Sequence, residues 1–224
     1  MWCIPAEQDG AFVARMEQVL EVYARPYQAR FPVVCMDEQP FQLLSERRAA
    51  VSLGSGRGRL VDCEYVRQGS CTVWMFVEPL GCWRDVRVTR RRTAVEWAEQ
   101  IRALVDAPRY ADAARITLVC DNLNTHDMGS LYTAFEPSEA KRILDRLALV
   151  FTPKHGSWLN VSELELSVLT RQSLSDRLGS EAAVVERSRA WAQERNRRQI
   201  GVDWQFTTQE ARTKLKRLYP KIKT

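Results

Sequence analysis

The sequence predicts an α/β fold, in which a mixed sheet carries helices on its faces. Two apolar runs, at 116–120 and 147–151, have the length of buried strands. A shorter apolar run at 33–36 leads directly into Asp37 and Glu38. Segments with helical periodicity separate these runs, and such an alternation is typical of an α/β sheet.

The first predicted element is a helix over 7–23, where apolar residues recur at helical spacing. The strand at 33–36 is expected to end at Pro40, because proline cannot donate to a strand ladder. Residues 42–60 are predicted to form a polar excursion with a cationic tip. The later elements are strands at 72–77 and 83–88, a helix from 93 to 105, the strand at 116–120, helices at 128–135 and 137–147, the strand at 147–151, and helices starting near 159, at 181 and within 202–218.

Length and composition predict one soluble domain with a sizeable core. The chain has 224 residues, of which 45% are hydrophobic and 27% charged. No apolar run approaches the roughly 20 residues that span a bilayer, and the first residues lack a signal-peptide pattern. We therefore expect a cytoplasmic protein with no membrane partner. The six cysteines form no C-x-x-C pair and the two histidines are isolated, so a zinc site is not expected and the cysteines should be reduced.

Positive charge is concentrated at the carboxyl end of the chain. Residues 187–224 contain 11 Lys or Arg and 3 Asp or Glu, a net charge of +8, whereas the other 186 residues have a net charge of −3. A cationic segment in the same chain as a carboxylate cluster suits a metal-dependent enzyme that acts on a polyanion. The simpler alternative is a solvated, arginine-rich helix face, and charge alone does not separate the two.

Acidic residues follow two of the predicted strands. Asp37 comes directly after the strand at 33–36, and Asp121 comes directly after the strand at 116–120. Open α/β sheets bind ligands at the carboxyl ends of their strands, and Glu163 lies on a helix that follows the next strand. A lone Asp at a strand end is more often a turn residue. Two such acids and a later Glu together indicate a divalent-metal site, because such ions prefer oxygen ligands.

Three phrases carry a resemblance to a known family. They are CMDEQP at 35–40, CDNLNTH at 120–126 and TPKHGSWLNVSE at 152–163. In this order they closely resemble the catalytic domain of DDE transposases of the mariner superfamily, in its bacterial insertion-sequence branch. The resemblance implies a ribonuclease H-like fold. It divides the chain into an amino-terminal helix and linker (1–32), a catalytic domain (33–175) and a basic helical extension of that domain (176–224).

The resemblance also implies the metal ligands. Asp37, Asp121 and one glutamate would hold two Mg²⁺ or Mn²⁺ ions. In the family this glutamate comes three residues after the Asn of the W-L-N phrase, which selects Glu163 here. Glu165 stays the alternative, because on a helical wheel it lies among apolar residues and a buried acid facing the sheet could also bind metal.

Other residues are expected to support the ligands or to contact DNA. Asn122 and His126 follow Asp121 closely and are candidates to hold the ligand carboxylates in place. Cations that flank the third phrase or belong to the basic carboxyl end are candidate DNA contacts. They are Lys154, Arg171, Arg197, Arg198, Lys214, Lys216 and Arg217.

The activity implied by the resemblance is cleavage of DNA at transposon ends, followed by transfer of the freed 3′-hydroxyl to target DNA. Double-stranded DNA would be the substrate, and the family usually acts as a homodimer. Family members carry an amino-terminal pair of helix-turn-helix modules, which we expect to be missing from this chain. The alternatives are another ribonuclease H-like nuclease, such as a resolvase or an RNA:DNA hybrid nuclease, or a non-catalytic DNA-binding remnant.

Overall fold

A computed structural model describes residues 7–47, 51–52, 59–60, 63–121, 123 and 126–221. Its strands are β1 (Val33–Glu46), β2 (Val51–Ser52), β3 (Arg59–Leu60), β4 (Tyr65–Glu78), β5 (Trp83–Thr89), β6 (Ile116–Cys120) and β7 (Leu147–Phe151). Its α-helices are α1 (Gly10–Tyr23), α2 (Ala94–Val105), α3 (Met128–Ala134), α4 (Pro137–Asp145), α5 (Val161–Ser173), α6 (Glu181–Arg197) and α7 (Thr208–Lys214). Both β1 and β4 are longer than predicted.

Local sequence signals explain where several helices begin. Thr93 precedes α2 and its side chain accepts a hydrogen bond from Glu96 N, as expected for the predicted cap. Ser180 caps α6 in the same way. Pro137 occupies the first turn of α4, where the N–H that proline lacks would have no partner within the helix.

The strand β1 lies at the centre of a five-stranded sheet, whose order is β5-β4-β1-β6-β7. It pairs antiparallel with β4, which pairs antiparallel with β5. On its other edge β1 pairs in parallel with β6 over 33–35, and β6 pairs in parallel with β7. Because neighbouring parallel strands run towards the same edge of a sheet, β1 and β6 deliver Asp37 and Asp121 to one place.

Helices cover both faces of this sheet. One hydrophobic cluster joins α1, α5 and α6 to the face that contains Cys35, and a second joins α2, α3 and α4 to the face that contains Val34 and Met36. Side chains alternate along a strand, so Asp37 shares its face with α5, and Glu38 points towards α2 and α3. The predicted α/β architecture is confirmed. None of the described helices is both long and apolar enough to cross a lipid bilayer.

The course of β1 corrects the prediction that Pro40 ends this strand, because β1 continues through Pro40 to Glu46. Only the first residues of β1 are paired on both edges, and beyond Cys35 the strand is paired with β4 alone. A proline is tolerated there, because the edge away from β4 needs no N–H donor. Residues 42–46 therefore belong to a long hairpin with β4. Most of the remaining predicted excursion lies outside the described residues.

A buried ion pair joins β5 to α5. Arg84 Nε lies 2.9 Å from Glu165 Oε2, and the two side chains are 0% and 4% exposed. Arg195 of α6 donates from Nη2 to the other carboxylate oxygen at 2.8 Å. Arg84 Nη2 also donates to Ile200 O at 2.6 Å. A single carboxylate therefore connects three elements of the fold, and both of its oxygens accept from a guanidinium.

Removal of this carboxylate should destabilise the protein strongly. We expect Glu165→Ala to lower the free energy of unfolding by about 3–5 kcal/mol, because it leaves the buried Arg84 without its counter-charge. Glu21 is exposed on α1, and the matched control Glu21→Ala should change the same quantity by less than about 0.5 kcal/mol. Chemical denaturation followed by circular dichroism measures both effects. If Glu165→Ala lowered the free energy of unfolding as little as Glu21→Ala, buried Arg84 would not need Glu165 as its counter-charge.

Candidate metal centre

Asp37 lies on the face of β1 that packs against α5. Two residues further along the strand, Gln39 Nε2 donates to Thr170 Oγ1 of α5 at 2.8 Å. Asp37 Oδ1 accepts from the backbone N–H of Glu38 at 2.8 Å. The strand is thus attached to the helix beside Asp37, and the carboxylate is oriented by the backbone of its own strand.

Asp121 is the first residue after β6, and its side chain is 29% exposed. Its Oδ1 lies 2.5 Å from Nδ1 of His126, which is buried. The other ring nitrogen of His126, Nε2, lies 3.2 Å from Oε2 of Glu38. The imidazole also stacks on Trp97 of α2, with ring centroids 5.7 Å apart. His126 therefore bridges two carboxylates and has its ring plane held by an aromatic neighbour.

Asn160 sets the position of α5 relative to β1. Its Oδ1 accepts from Ser162 N at 3.1 Å and caps the helix, while its Nδ2 donates to Met36 O at 2.8 Å. Met36 directly precedes Asp37, and Glu163 lies in the first turn of α5. One buried amide side chain therefore connects the backbone beside both acids. The side chain of Glu163 is exposed at this end of the helix.

The turn that leads from β7 towards α5 requires Gly156. A Cβ at this position would lie 2.5 Å from Pro153 Cγ and 3.0 Å from Pro153 O, so any larger residue would force the turn open. The preceding residue, His155, has a positive φ of 63°. The tight turn directs the chain into the 3-10 helix Ser157–Leu159 and then to Asn160.

Negative charge accumulates around Asp37. The pKa of Asp37 is raised to about 7, mainly by burial and then by the charges of Asp121, Glu38 and Glu163, while the hydrogen bond from Glu38 N opposes this shift. Burial alone would lower the pKa of His126, but its contacts with Asp121 and Glu38 outweigh burial and raise the pKa to about 9. His126 is therefore a cation at neutral pH, and it offsets only part of the acidic charge.

These carboxylates fit a divalent cation in chemical type. Carboxylate oxygens are the ligands that Mg²⁺ and Mn²⁺ prefer, and a cation beside Asp37 would reverse the repulsion that raises its pKa. Within the part of the chain that the structure describes, no three His, Cys, Asp or Glu side chains are grouped so that they could already hold a metal ion.

Comparison with known proteins identifies the family. Residues 32–184, more than half of the chain, match the family model described as DDE superfamily endonuclease. The chain belongs to this family. The predicted resemblance to DDE transposases is confirmed at this level, whereas the insertion-sequence branch stays a prediction. Among curated proteins, no sequence relative matches the chain.

Solved structures that resemble this DDE domain include those of the Mos1 mariner transposase. The Mos1 paired end complex with Mn has a TM-score of 0.55 and 17% sequence identity, over 88% of this chain and 60% of that chain. The catalytic domain of Mos1 has a TM-score of 0.55 and 16% identity, over 88% of this chain and 90% of that chain. The DDE chain described here thus spans about three fifths of the Mos1 chain in the complex. These matches confirm the predicted ribonuclease H-like fold.

The predicted DDE acids lie around one edge of the sheet. The structure places Asp37 on β1, Asp121 directly after β6, and Glu163 at the start of α5, close enough to Asp37 for its charge to raise the pKa of Asp37. Glu165, the alternative third acid, is instead enclosed by Arg84 and Arg195. The role of these acids as metal ligands stays a prediction. Of the two predicted supporting residues, His126 contacts Asp121, and Asn122 lies outside the described residues.

The predicted DNA contacts are all exposed, but they lie in different places. Lys154 belongs to the turn after β7, and Arg171 lies two helical turns along α5 from Glu163, so both flank the acid edge. Arg197 and Arg198 end α6, where the neighbouring Asn196 bonds to Arg84 near the start of β5. They therefore lie towards the other end of the sheet.

The three remaining predicted contacts, at the carboxyl end, lie near the start of α1, where Leu218 O accepts from Asp9 N. They are Lys214, Lys216 and Arg217. Among all the predicted contacts, Arg197 and Lys214 form exposed ion pairs with acids of their own helices. Such pairs are weak and can exchange for a phosphate.

Two residues of the site, Glu38 and Arg92, are not predicted from the sequence. Glu38 is buried beside His126, and its Oε1 lies 3.6 Å from Nη1 of Arg92. Arg92 is the last of three consecutive arginines at 90–92, and this run is the sequence pattern that could have indicated a cation near the site. The position of Glu38 follows from strand alternation next to Asp37, but its partner could not be identified before the fold was known.

The raised pKa of Asp37 predicts a pH dependence of stability. An unfolded Asp titrates near 3.9 and folded Asp37 at about 7, so between about pH 4 and pH 7 the folded state holds a proton that the unfolded state has lost. With a chelator present, the free energy of unfolding should therefore fall as the pH rises through this interval. Asp37→Asn should remove much of the fall, and should stabilise the protein more at pH 8 than at pH 5.

Urea denaturation at several pH values measures this difference between variant and wild type. Comparison with the wild type also cancels most of the contribution of His126, whose raised pKa likewise makes stability fall as the pH rises. The control is Asp112→Asn, at an exposed turn position. Its free energy of unfolding should differ from that of wild type by an amount that does not change with pH. A difference for Asp37→Asn that stays constant from pH 5 to pH 8 would contradict the prediction.

Proposed function

We propose that this chain is the catalytic domain of a transposase, which holds two Mg²⁺ or Mn²⁺ ions on Asp37, Asp121 and Glu163 and uses them to cut and join DNA at transposon ends. The observation that supports this most directly is the placement of Asp37 and Asp121 where the parallel pairing of β1 with β6 ends, with Glu163 at the start of α5 near Asp37. Acids that served only as turn residues would be solvated and apart. Perturbed acids at a sheet edge are typical of functional sites.

The relatives support the same metals and substrate. The Mos1 structures with this fold include paired end complexes with Mn and with Mg, and a complex with the left transposon end. The DDE family to which the chain belongs consists of endonucleases. Identity to Mos1 is 15–17%, so the substrate and the metal count rest on the chemistry of the three acids in this chain.

The protein would hold each acid in a different way. Asp37 is oriented by the backbone N–H of Glu38, Asp121 is oriented by His126, and Glu163 is placed by the attachment of α5 to β1. Two divalent ions held by these acids would activate the attacking water or 3′-hydroxyl and would stabilise the leaving 3′-oxygen of an in-line displacement. No Ser, Tyr or Cys nucleophile is required. The exposed position of Glu163 leaves the side of the site that faces solvent open to the DNA backbone.

The cations described above would guide the DNA. Lys154 and Arg171 flank the acids and would contact phosphates near the cleaved bond, while the basic carboxyl end would bind the duplex without sequence preference and with strong salt dependence. A homodimer and action on DNA in the cytoplasm are parts of the same proposal.

Substitution of the three acids tests the proposal. Asp37→Ala, Asp121→Ala and Glu163→Gln should each reduce Mn²⁺-dependent cleavage of supercoiled plasmid by more than about 100-fold, because loss of a residue that merely supports a ligand already costs 10–100-fold. DNA affinity without metal should be unchanged. Strand transfer is measured with a duplex that presents a free 3′-hydroxyl.

Two control variants test which glutamate is the third ligand and whether loss of any Glu carboxylate lowers cleavage. Glu186→Gln, at an exposed position of α6, should cleave like wild type. Glu165→Gln should still cleave at temperatures where it is folded, so loss of cleavage in Glu165→Gln with retention in Glu163→Gln would reassign the ligand. Cleavage restricted to branched DNA or to RNA:DNA hybrids would favour the other nuclease class. An inactive wild type would favour the non-catalytic remnant.

A further inference from the structure

Glu38 is a buried carboxylate to which the proposed metal site assigns no role. Its side chain is 1% exposed and points to the face of β1 opposite Asp37. Burial of a carboxylate is costly unless cations or donors surround it. Among the described residues, Glu38 is within ion-pair distance of Nε2 of His126, at 3.2 Å, and of Nη1 of Arg92, at 3.6 Å. Both groups can carry positive charge, which would stabilise a buried carboxylate.

His126 connects Glu38 to the metal-site acid Asp121. Each of its two ring nitrogens lies within 3.2 Å of a carboxylate oxygen, Nδ1 on Asp121 and Nε2 on Glu38. Both contacts are at ion-pair distance, so the ring lies directly between the two carboxylates. Stacking on Trp97 holds the ring plane. The orientation of the ring is consequently determined by Glu38 and Trp97, and the ring in turn determines where Asp121 Oδ1 lies.

We propose that Glu38 is a positioning residue for metal binding, which acts through His126 on Asp121. With Oδ1 of Asp121 against Nδ1 of His126, the second oxygen of this carboxylate would remain available to bind the metal. The inference rests on the proposed function and adds to it a chain of contacts from Arg92 through Glu38 and His126 to Asp121. Groups that orient metal ligands in this way typically alter metal affinity by 10–100-fold.

Arg92 forms the outer end of this chain of contacts. Its side chain is 46% exposed, whereas that of Glu38 is 1% exposed. The guanidinium therefore screens the carboxylate from the solvent side, and His126 faces it from the protein interior. Arg92 precedes the capping residue of α2, the helix that also carries Trp97. One helix start thus supports Glu38 and His126 together.

Mn²⁺ binding distinguishes a positioning role from a merely structural one. Affinity is measured by electron paramagnetic resonance of free Mn²⁺, at constant pH and without DNA. Glu38→Ala should weaken Mn²⁺ binding by about 10–100-fold. Glu38→Gln retains an acceptor oxygen for Nε2 of His126 and should weaken binding by a smaller factor. If the alanine variant does not fold, the glutamine variant must still bind Mn²⁺ more weakly than wild type.

The control is a second buried carboxylate on the same sheet. Glu78 of β4 is 2% exposed and lies 2.6 Å from Arg109 Nε and 3.1 Å from Tyr110 Oη. It stands at the end of β4 that pairs with the start of β5, away from the acid edge. Glu78→Ala removes the same group from similar surroundings, and it should leave Mn²⁺ affinity unchanged.

A double variant tests whether Glu38 acts through His126. His126→Ala alone should weaken Mn²⁺ binding, and addition of Glu38→Ala should cause no further loss, because the intermediate residue is already absent. Losses that add up in the double variant would overturn the inference. So would an Mn²⁺ affinity of Glu38→Ala equal to that of wild type. A wild type that does not bind Mn²⁺ would overturn the proposed function, and with it this role of Glu38.

Discussion

Repulsion among carboxylates, where β1 and β6 lie side by side, is the constraint on which the arrangement of this domain depends. Parallel pairing of the two strands brings Asp37 and Asp121 together, and the burial of Asp37 limits how far water can screen its charge. His126 lies against Asp121, and Arg92 lies near Glu38. Among the described residues, no ion pair offsets the charges of Asp37 and Glu163. A divalent cation is the simplest partner that would balance them.

The helix α5 shows how the same residue type takes two different roles two positions apart. Glu165 faces the interior, where Arg84 and Arg195 occupy its oxygens and connect α5 to β5 and α6. Glu163 is exposed near Asp37. The first carboxylate fixes the helix, and this fixed helix gives the second its position. The stability of the fold and the position of Glu163 thus both depend on the attachment of α5 through Glu165.

Local patterns predict much of this fold. The strands Ile116–Cys120 and Leu147–Phe151 are predicted to the residue, because polar or turn-forming residues bound each apolar run. The effect of Pro40 could not be predicted, since it depends on which edge of β1 is paired. The candidate acids follow from strand ends and from the family phrases. The contact between Glu38 and His126 could not be predicted, because these residues meet only once β1 and β6 have paired.

The most direct test of the convergence of these acids is the anomalous difference density of a crystal soaked in Mn²⁺. Our account predicts manganese peaks between Asp37, Asp121 and Glu163, with Glu165 still bound to Arg84 and His126 still against Asp121 Oδ1. Two ions should lie about 3.5–4 Å apart. Density that places manganese on Glu165, or a fully soaked crystal with no manganese at this edge of the sheet, would contradict it.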